Sequence, residues 1–410
     1  MLVRLCLLAS ALVSLTPTPA SQCGGCCAPQ ATLPLAGQSP TPDDNDEFGL
    51  ASASSGNWLV VGAPGYDGNK GAVFAYVRTG AGWTLDDVLL PPAVAGNGRF
   101  GFSVAIGRGF VVIGAPQADV VGMGSGIGNA YVYRRDPGGW VFEQELPPTA
   151  GVGNEHGFDV DVSGDTAIIG AKLEEAAYFY RRDPVVCAPF SWCLEGKVMP
   201  AASLGAMEFG EAVTIDGDHA FVGGSEYNVG TNVGAVFHYA RIAGAWSLFE
   251  PELVNPSFSG PGEHYGETLD LQGSWLFVAE PRGGGGGDGN VHVYEQNPNG
   301  SFGPASAFTQ ILDDGPGSTI FGRSLAVSGR SLMVGAPSTD VNGISEAGTA
   351  YRFELSGGTW VLADTYVPCG LLSFFDRFGR SVALGNEVVV GAHQDDHSGG
   401  IDVGTVYTFQ

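Results

Sequence analysis

Short apolar stretches alternate with turn-rich stretches along the whole chain, and one combination of them returns several times. Residues 100–116 read FGFSVAIGRGFVVIGAP, and residues 321–337 read FGRSLAVSGRSLMVGAP. In both, an alternating stretch follows an aromatic-Gly pair, and a continuous apolar run then ends at Gly-Ala-Pro. Alternation with period two predicts a half-buried strand, whereas a short continuous apolar run bounded by turn residues predicts a strand that is buried on both faces.

Seven copies of this pattern cover nearly the whole chain. The aromatic-Gly pairs are 52 to 57 residues apart. Their first residues are Phe48, Phe100, His156, Phe209, Tyr265, Phe321 and Phe378. A catalytic motif occurs once, whereas a structural unit repeats, so the pattern is interpreted as architecture.

The second copy shows how one unit is built. Its strands are predicted at residues 100–106, 110–113, 130–134 and 140–146, with turns at Gly and Pro between them. The continuous apolar second strand indicates sheets stacked face to face, and the more polar fourth strand, which starts with Trp140, indicates an outer strand. The fold predicted for residues 30–410 is therefore all-β: a seven-bladed β-propeller of four-stranded antiparallel blades that start near the seven aromatic positions.

The last unit ends at Gln410 after only three predicted strands. Residues 30–36, QATLPLA, precede the loop to Phe48 just as the fourth strand of another unit precedes its own loop. We expect this N-terminal strand to complete the seventh blade and to close the ring, because closure removes the exposed edges of a sheet.

At these residues the chain resembles the FG-GAP repeat family, whose propeller units occur in the head of integrin α chains and in many bacterial secreted proteins. The resemblance implies the propeller fold. Integrin-type members bind calcium through an Asp-rich loop between the first and second strands. Here the corresponding turns are short, as in GRG (107–109) and DGD (216–218), and cannot supply six to eight oxygen ligands. No metal or other cofactor is therefore expected.

The ends and the composition of the chain suggest export. Residues 1–20 carry one Arg, an apolar run and a small-residue end, which predicts a cleaved secretory signal, followed by a Cys-rich segment at 21–29. No other apolar run is long enough to span a bilayer. The 65 Gly and 25 Pro residues suit short strands joined by turns. We expect a monomer that is secreted or held at the cell surface.

The net charge limits the classes of partner, and the cysteines indicate which disulfide can form. The net charge of −25 excludes nucleic acid and anionic membranes as partners. Cys187 and Cys193 bracket the insertion CAPFSWC and are predicted to form a disulfide. The pairing of the four other cysteines beyond the signal is left open: Cys23, Cys26, Cys27 and Cys369.

The long loops between second and third strands, and those between blades, share one face of such a propeller, and this long-loop face is the predicted working surface. Two segments on it depart from the repeat. The predicted partner-binding residues are Leu371, Leu372, Phe374 and Phe375 of GLLSFF (370–375), and His393, Asp395 and His397 of HQDDH (393–397). The alternatives are that GLLSFF plugs the central channel, and that HQDDH is a solvated loop or holds a transition metal.

The predicted function is non-enzymatic. No nucleophile-base motif is present, and the Gly-rich segments lack the helix and Lys of a phosphate site. We expect an interaction or scaffold propeller that binds a protein or glycan. The alternative is a carbohydrate-binding or carbohydrate-active propeller, in which loop aromatics and acids converge on one cleft, since propellers host both functions.

Overall fold

The computed structural model describes the chain from Ala31 to Gln410 with gaps. The described residues are 31–34, 45–80, 82–92, 96–149, 153–201, 207–227, 233–256, 262–283, 287–303, 309–315, 319–368, 373–395 and 402–410. Helix within them is limited to single turns at Tyr66–Asn69 and Lys172–Glu174. None of these helices is long and apolar enough to cross a membrane.

The strands form seven antiparallel sheets, each of which is one blade of a ring. The N-terminal strand β1 (Ala31–Pro34) belongs to the seventh blade. Blade 1 consists of β2 (Ser52–Ser55), β3 (Trp58–Ala63), β4 (Ala72–Thr79) and β5 (Gly82–Leu89). Blade 2 consists of β6 (Ser103–Ile106), β7 (Phe110–Ala115), β8 (Asn129–Asp136) and β9 (Gly139–Glu145). Blade 3 consists of β10 (His156–Ser163), β11 (Thr166–Ala171), β12 (Ala176–Arg182) and β13 (Trp192–Val198).

The remaining four blades follow the same order from the central axis outward. Blade 4 has β14 (Val213–Asp216), β15 (His219–Gly224), β16 (Ala235–Ile242) and β17 (Ala245–Leu248), with β18 (Leu253–Val254) also paired to β16. Blade 5 consists of β19 (Thr268–Gln272), β20 (Trp275–Glu280), β21 (Asn290–Glu295) and β22 (Gln310–Leu312). Blade 6 consists of β23 (Ser324–Ser328), β24 (Ser331–Ala336), β25 (Thr349–Ser356) and β26 (Thr359–Tyr366). Blade 7 consists of β27 (Ser381–Leu384), β28 (Val388–Ala392) and β29 (Thr405–Phe409), with β1 as its outer strand.

Burial follows the predicted position of each strand in a blade. Every residue of the second strand β7 is buried, because neighbouring blades cover both faces of the sheet. The fourth strand β9 is largely exposed or half-buried, with Trp140 as its one buried residue. The all-β, seven-bladed fold and the roles of these strands are thus confirmed.

In blade 2 the aromatic-Gly pair lies before the first strand, which corrects the predicted strand start at Phe100; in blade 3 the pair begins β10, whose register shifts just after it. The backbone of Gly101 has φ +90°, a conformation that ends an extended strand and that residues with a side chain rarely adopt. Phe100 instead forms a parallel bridge with Gly71 of the preceding blade. The strand proper begins at Ser103.

The glycines of the repeated pattern are points where two blades touch. A Cβ atom added at Gly62 of blade 1 would overlap the carbonyl oxygen of Gly101 in blade 2, and one added at Gly114 would overlap the carbonyl oxygen of Gly157. At these two positions only glycine permits the backbone approach. Blade 5 has Ala279 at the equivalent position, next to Gly322 of blade 6. The pattern repeats because neighbouring blades make a close contact at this position around the ring.

The first and seventh blades contact each other directly. Ser381 Oγ donates a hydrogen bond of 2.9 Å to the carbonyl oxygen of Gly49, and Trp83 Nε1 donates one of 2.6 Å to Glu387 Oε2. On the outer side, β1 pairs antiparallel with β29, with Ala31 opposite Thr408. That the ring depends on this N-terminal strand for closure stays a prediction.

A disulfide joins Cys187 and Cys193, whose Cα atoms are 5.3 Å apart, so this pairing is confirmed. It spans the loop between β12 and β13, on the face opposite the long-loop face. Cys23, Cys26, Cys27 and Cys369 lie outside the described residues.

Candidate binding site at the channel mouth

The first strands of all seven blades line a central cavity of about 370 Å³. At the long-loop face its wall is formed by the residue that follows each aromatic-Gly pair, and we call these seven residues the mouth ring. In chain order the mouth ring consists of Leu50, Phe102, Phe158, Glu211, Glu267, Arg323 and Arg380. The ring is therefore apolar over three blades, acidic over two and basic over two.

The backbone of the mouth ring is the same whichever side chain it carries. The amide of each ring residue donates to the carbonyl oxygen of the residue three positions before it. The distance is 3.1 Å for Leu50, 3.0 Å for Glu211 and 3.0 Å for Arg380. Because the fold fixes this backbone through glycine contacts and main-chain bonds, it leaves the chemistry of the ring side chains free.

The apolar part of the ring presents two half-buried aromatic side chains. The rings of Phe102 and Phe158 are tilted against each other with centroids 5.1 Å apart. The Arg99 guanidinium lies 5.2 Å from the Phe102 centroid, and Lys172 Nζ lies 4.9 Å from that of Phe158. Arg99 and Lys172 are attracted to the faces of these two aromatic rings, so the apolar part of the mouth ring has charged groups beside it.

The acidic part of the ring already has cationic partners. Lys172 Nζ lies 2.8 Å from Glu211 Oε1, and the hydroxyl of Ser225 donates to the other oxygen of Glu211. Burial alone lowers the pKa of Lys172, but the hydrogen bonds and charges of Glu211 and Glu208 raise the pKa overall. Glu267 lies 3.8 Å from Arg323 Nη1 and 3.5 Å from His264 Nδ1.

The basic part of the ring contains an arginine without an ion pair. Among the described residues Arg380 has no carboxylate within ion-pair distance, and the two carboxylates that act on it from farther away are Glu267 and Glu47. Burial holds the pKa of Arg380 well below its usual range, and the neighbouring Arg323 lowers it further. A guanidinium nevertheless stays charged in proteins. The wall of the cavity therefore carries a positive charge that is only partly compensated.

His393 lies near the same arginines. It is buried, and its Nδ1 has no hydrogen-bond partner among the described residues. Burial and the charges of Arg380 and Arg377 lower the pKa of His393 well below its usual range. The imidazole is thus neutral, and it adds no positive charge to this side of the ring.

The described part of the GLLSFF segment lies on the surface. Phe374 is 65% exposed and Phe375 is 49% exposed, and neither lines the cavity. These two side chains do not plug the channel, and their role in partner binding stays a prediction. Leu371 and Leu372 lie outside the described residues.

The alternative of a solvated HQDDH loop does not hold for two of its residues. Asp395 is fully buried and accepts a 2.6 Å hydrogen bond from the hydroxyl of Tyr407, while His393 is buried as described above. Both side chains are thus turned into the protein, and their role in partner binding stays a prediction. His397 lies outside the described residues.

Sequence reasoning missed the mouth ring because its members lie within the repeated pattern, which was interpreted as architecture. The available signal was the third position of that pattern, which reads Leu, Phe, Phe, Glu, Glu, Arg and Arg, whereas the glycine before it stays constant. A position that varies in charge and size directly after a constant glycine indicates a side chain that packing between blades does not constrain.

Three carboxylates deeper in the channel hold the blades together. Asp159 accepts from the amide of Val213 at 2.8 Å, and Asp270 accepts from that of Val327 at 2.6 Å, both in the next blade. Asp161 bonds blade 4 in the same manner. Burial is the main cause that raises the pKa of Asp159 and of Asp270 to about 7.

Because those pKa values lie above the ordinary 3.8, the folded protein binds more protons than the unfolded chain between about pH 4 and 7. The free energy of unfolding should therefore decrease as pH rises through this window. We expect Asp270→Asn to flatten the decrease, as measured by denaturant unfolding at pH 5 and pH 8, whereas the exposed control Asp67→Asn should retain it. An unchanged slope in Asp270→Asn would show that this carboxyl is ionised at both pH values.

Sequence comparison assigns part of the chain to a known repeat. A family model described as FG-GAP repeat matches residues 42–76, 83–133 and 373–409, which fall on blades 1, 2 and 7. No curated protein matches the chain in sequence.

Comparison of structures supports the fold alone. One similar structure is a crystal structure of a protein from Lactobacillus plantarum, with a TM-score of 0.51 and 12% sequence identity over 82% of this chain and 88% of that chain. At this identity the likeness says nothing of the ligand, which must be inferred from the site itself.

Proposed function

We propose that this chain, which is an FG-GAP repeat β-propeller, is a non-enzymatic binding protein that recognises its partner with the long-loop face. The mouth ring is the observation that carries the proposal. Its seven positions are equivalent in the fold, yet they carry three kinds of chemistry grouped around one cavity. A concave site with a few convergent polar groups is the usual form of a ligand site.

The argument depends on what each position of the repeat does for stability. The aromatic and glycine positions pack between blades and stay nearly constant around the ring. The mouth-ring side chains line the cavity instead, so the fold accepts a Leu, a Glu or an Arg there. The apolar, acidic and basic side chains are grouped at positions that the fold does not constrain. This grouping favours contact with one ligand whose own chemical groups differ from side to side.

A binding role suits the acids of the ring better than catalysis does. Glu211 is held by Lys172 and Ser225, and Glu267 lies near Arg323 and His264. A carboxylate that is already paired acts as a fixed charge, whereas a general base must be free to take a proton. We therefore assign these groups to recognition.

A second candidate function has one observation in its favour. Glu211 and Glu267 line the same cavity from adjacent blades, next to the aromatic side chain of Phe158. Two acids beside an aromatic are the groups that a carbohydrate-binding or carbohydrate-active propeller would use. A glycan array and a hydrolysis assay with Glu211→Gln as the comparison separate the two candidates, because binding without turnover excludes the enzyme.

The proposal includes export. The signal-like residues 1–20 and the acidic composition are the support for it, and the partner would then be an extracellular protein or glycan. Mass spectrometry of the protein in the culture medium, with and without residues 2–20, tests this part.

The use of the long-loop face can be tested by site-directed photo-crosslinking. A crosslinking amino acid placed at Phe374 should capture partner from the native extracellular fraction, because this side chain is exposed on the long-loop face. The matched position is Val185, which is 86% exposed on the opposite face. Equal capture from both positions, or capture from Val185 alone, would contradict the proposal.

A further inference from the structure

Two arginines form the basic side of the mouth ring. Arg323 and Arg380 occupy equivalent positions in adjacent blades, line one cavity and are half-buried. Arg323 lies 3.8 Å from Glu267, whereas Arg380 forms no ion pair among the described residues. The two carboxylates that act on Arg380 from farther away are Glu267 and Glu47, and each has another arginine within ion-pair distance, Arg323 and Arg99. A bound anion would stabilise a partly desolvated cation that has no ion-pair partner.

Charge alone does not select the kind of anion. Glu211 and Glu267 line the same wall. Their repulsion and the attraction by the two arginines both grow in proportion to the charge of the anion. The two oxygens of a carboxylate match the planar donors of a guanidinium, as those of a phosphate also do, so the groups next to Arg380 decide which of the two we propose.

The residues next to Arg380 in the mouth ring indicate which chemical group of the ligand is joined to the bound carboxylate. Leu50 of blade 1 follows Arg380 of blade 7, and Phe102 of blade 2 follows Leu50. A ligand whose carboxylate reaches Arg380 therefore meets apolar side chains next. A peptide that presents a carboxylate beside an apolar residue combines both groups.

From these contacts we propose that the mouth ring binds a peptide carboxylate between Arg323 and Arg380, with an adjacent apolar side chain on Leu50 and Phe102. The inference rests on the proposed binding function and specifies its ligand. A chain terminus and an acidic side chain are two sources of the same carboxylate, and the test distinguishes them.

The test uses three probes and calorimetry on the full mature chain. N-acetylphenylalanine carries a terminal carboxylate, N-acetylglutamyl-phenylalaninamide carries a side-chain carboxylate, and N-acetylphenylalaninamide carries none. We expect at least one carboxylate probe to bind about tenfold or more tightly than the neutral amide, as is typical of a hydrogen bond to a charged group. The tighter of the two carboxylate probes identifies the source.

Matched arginine variants locate the binding. Arg380→Gln should abolish the preference for the carboxylate probes, and Arg323→Gln should weaken it. Arg330→Gln is the control, because Arg330 is exposed in the β23–β24 turn on the opposite face of blade 6. It should bind the probes as the unmodified protein does.

Thermal melting separates lost binding from lost folding. Because Arg380→Gln removes an unpaired cation, its melting temperature without probe should be equal to or above that of the unmodified protein. The binding probe should raise the melting temperature of the unmodified protein by mass action and leave that of Arg380→Gln unchanged. If Arg380→Gln does not fold, Arg323→Gln carries the comparison.

Three results would overturn the inference: no binding of either carboxylate probe at millimolar concentration, equal binding of the neutral amide, or undiminished binding by Arg380→Gln. Binding of glucuronate in place of the peptide probes would show that the carboxylate belongs to a sugar. None of these results affects crosslinking from Phe374, so failure of this inference is distinguishable from failure of the proposed function.

Discussion

Replacing Phe100 by Ala is expected to lower the free energy of unfolding by about 3–5 kcal/mol, which is the range for truncating a fully buried aromatic side chain. Phe100 is fully buried between blades 1 and 2. Its ring lies 5.4 Å from that of Tyr131 and 6.0 Å from that of Tyr133, between centroids. The truncation leaves a void that rigid blades on both sides cannot close.

Phe374→Ser is the matched comparison, since it alters the same residue type at a position that is 65% exposed. Its effect on stability should stay within about 0.5 kcal/mol, as for most surface substitutions. Denaturant unfolding of both variants gives the two values. If Phe374→Ser destabilises the protein as severely as Phe100→Ala, the GLLSFF segment is part of the core, and its predicted role in partner binding is wrong.

A chain that begins at Phe48 is expected to melt several degrees below one that begins at Gln30, and to self-associate. Without β1, the outer edge of β29 presents unpaired amide and carbonyl groups to solvent, which is a template for pairing with another chain. The deletion also removes Leu33, which is buried against Val406 and Val389. Loss of that burial alone costs about 1.5–3 kcal/mol.

The chain beginning at Gln30 is the control, because it keeps β1 and lacks only the segment before it. Melting curves and light scattering at matched concentration provide both measurements. Equal melting temperatures would mean that the contacts between blades 7 and 1, such as that of Ser381 with Gly49, close the ring without the N-terminal strand.

The sequence by itself determined the architecture of this protein. Strands within a blade are neighbours along the chain, so their order and burial can be predicted from local alternation, apolar runs and turn residues. The aromatic-Gly pair returns with every blade, because each blade makes the same close backbone contact with the next. Cys187 and Cys193 are six residues apart, and their pairing was likewise predictable.

Local pattern was less informative where a residue's environment comes from elsewhere in the chain. His393 and Asp395 lie in a polar stretch that reads as an exposed loop, yet Asp395 is buried through its bond to Tyr407 on the next strand. The first strand of blade 2 begins three residues later than the alternation suggested, beyond Gly101 with its positive φ. Neither fact is visible without the backbone path.

Only the tertiary structure decided where the side chains that could bind a ligand come together. Leu50 and Arg380 are at opposite ends of the chain, and each lies within a pattern that is architectural in its other positions. They face one cavity because seven blades curve around an axis until the last meets the first. Closure brings one residue from every repeat to the same mouth, and the surroundings of Arg380, which has no ion pair among the described residues, exist only in that assembled ring.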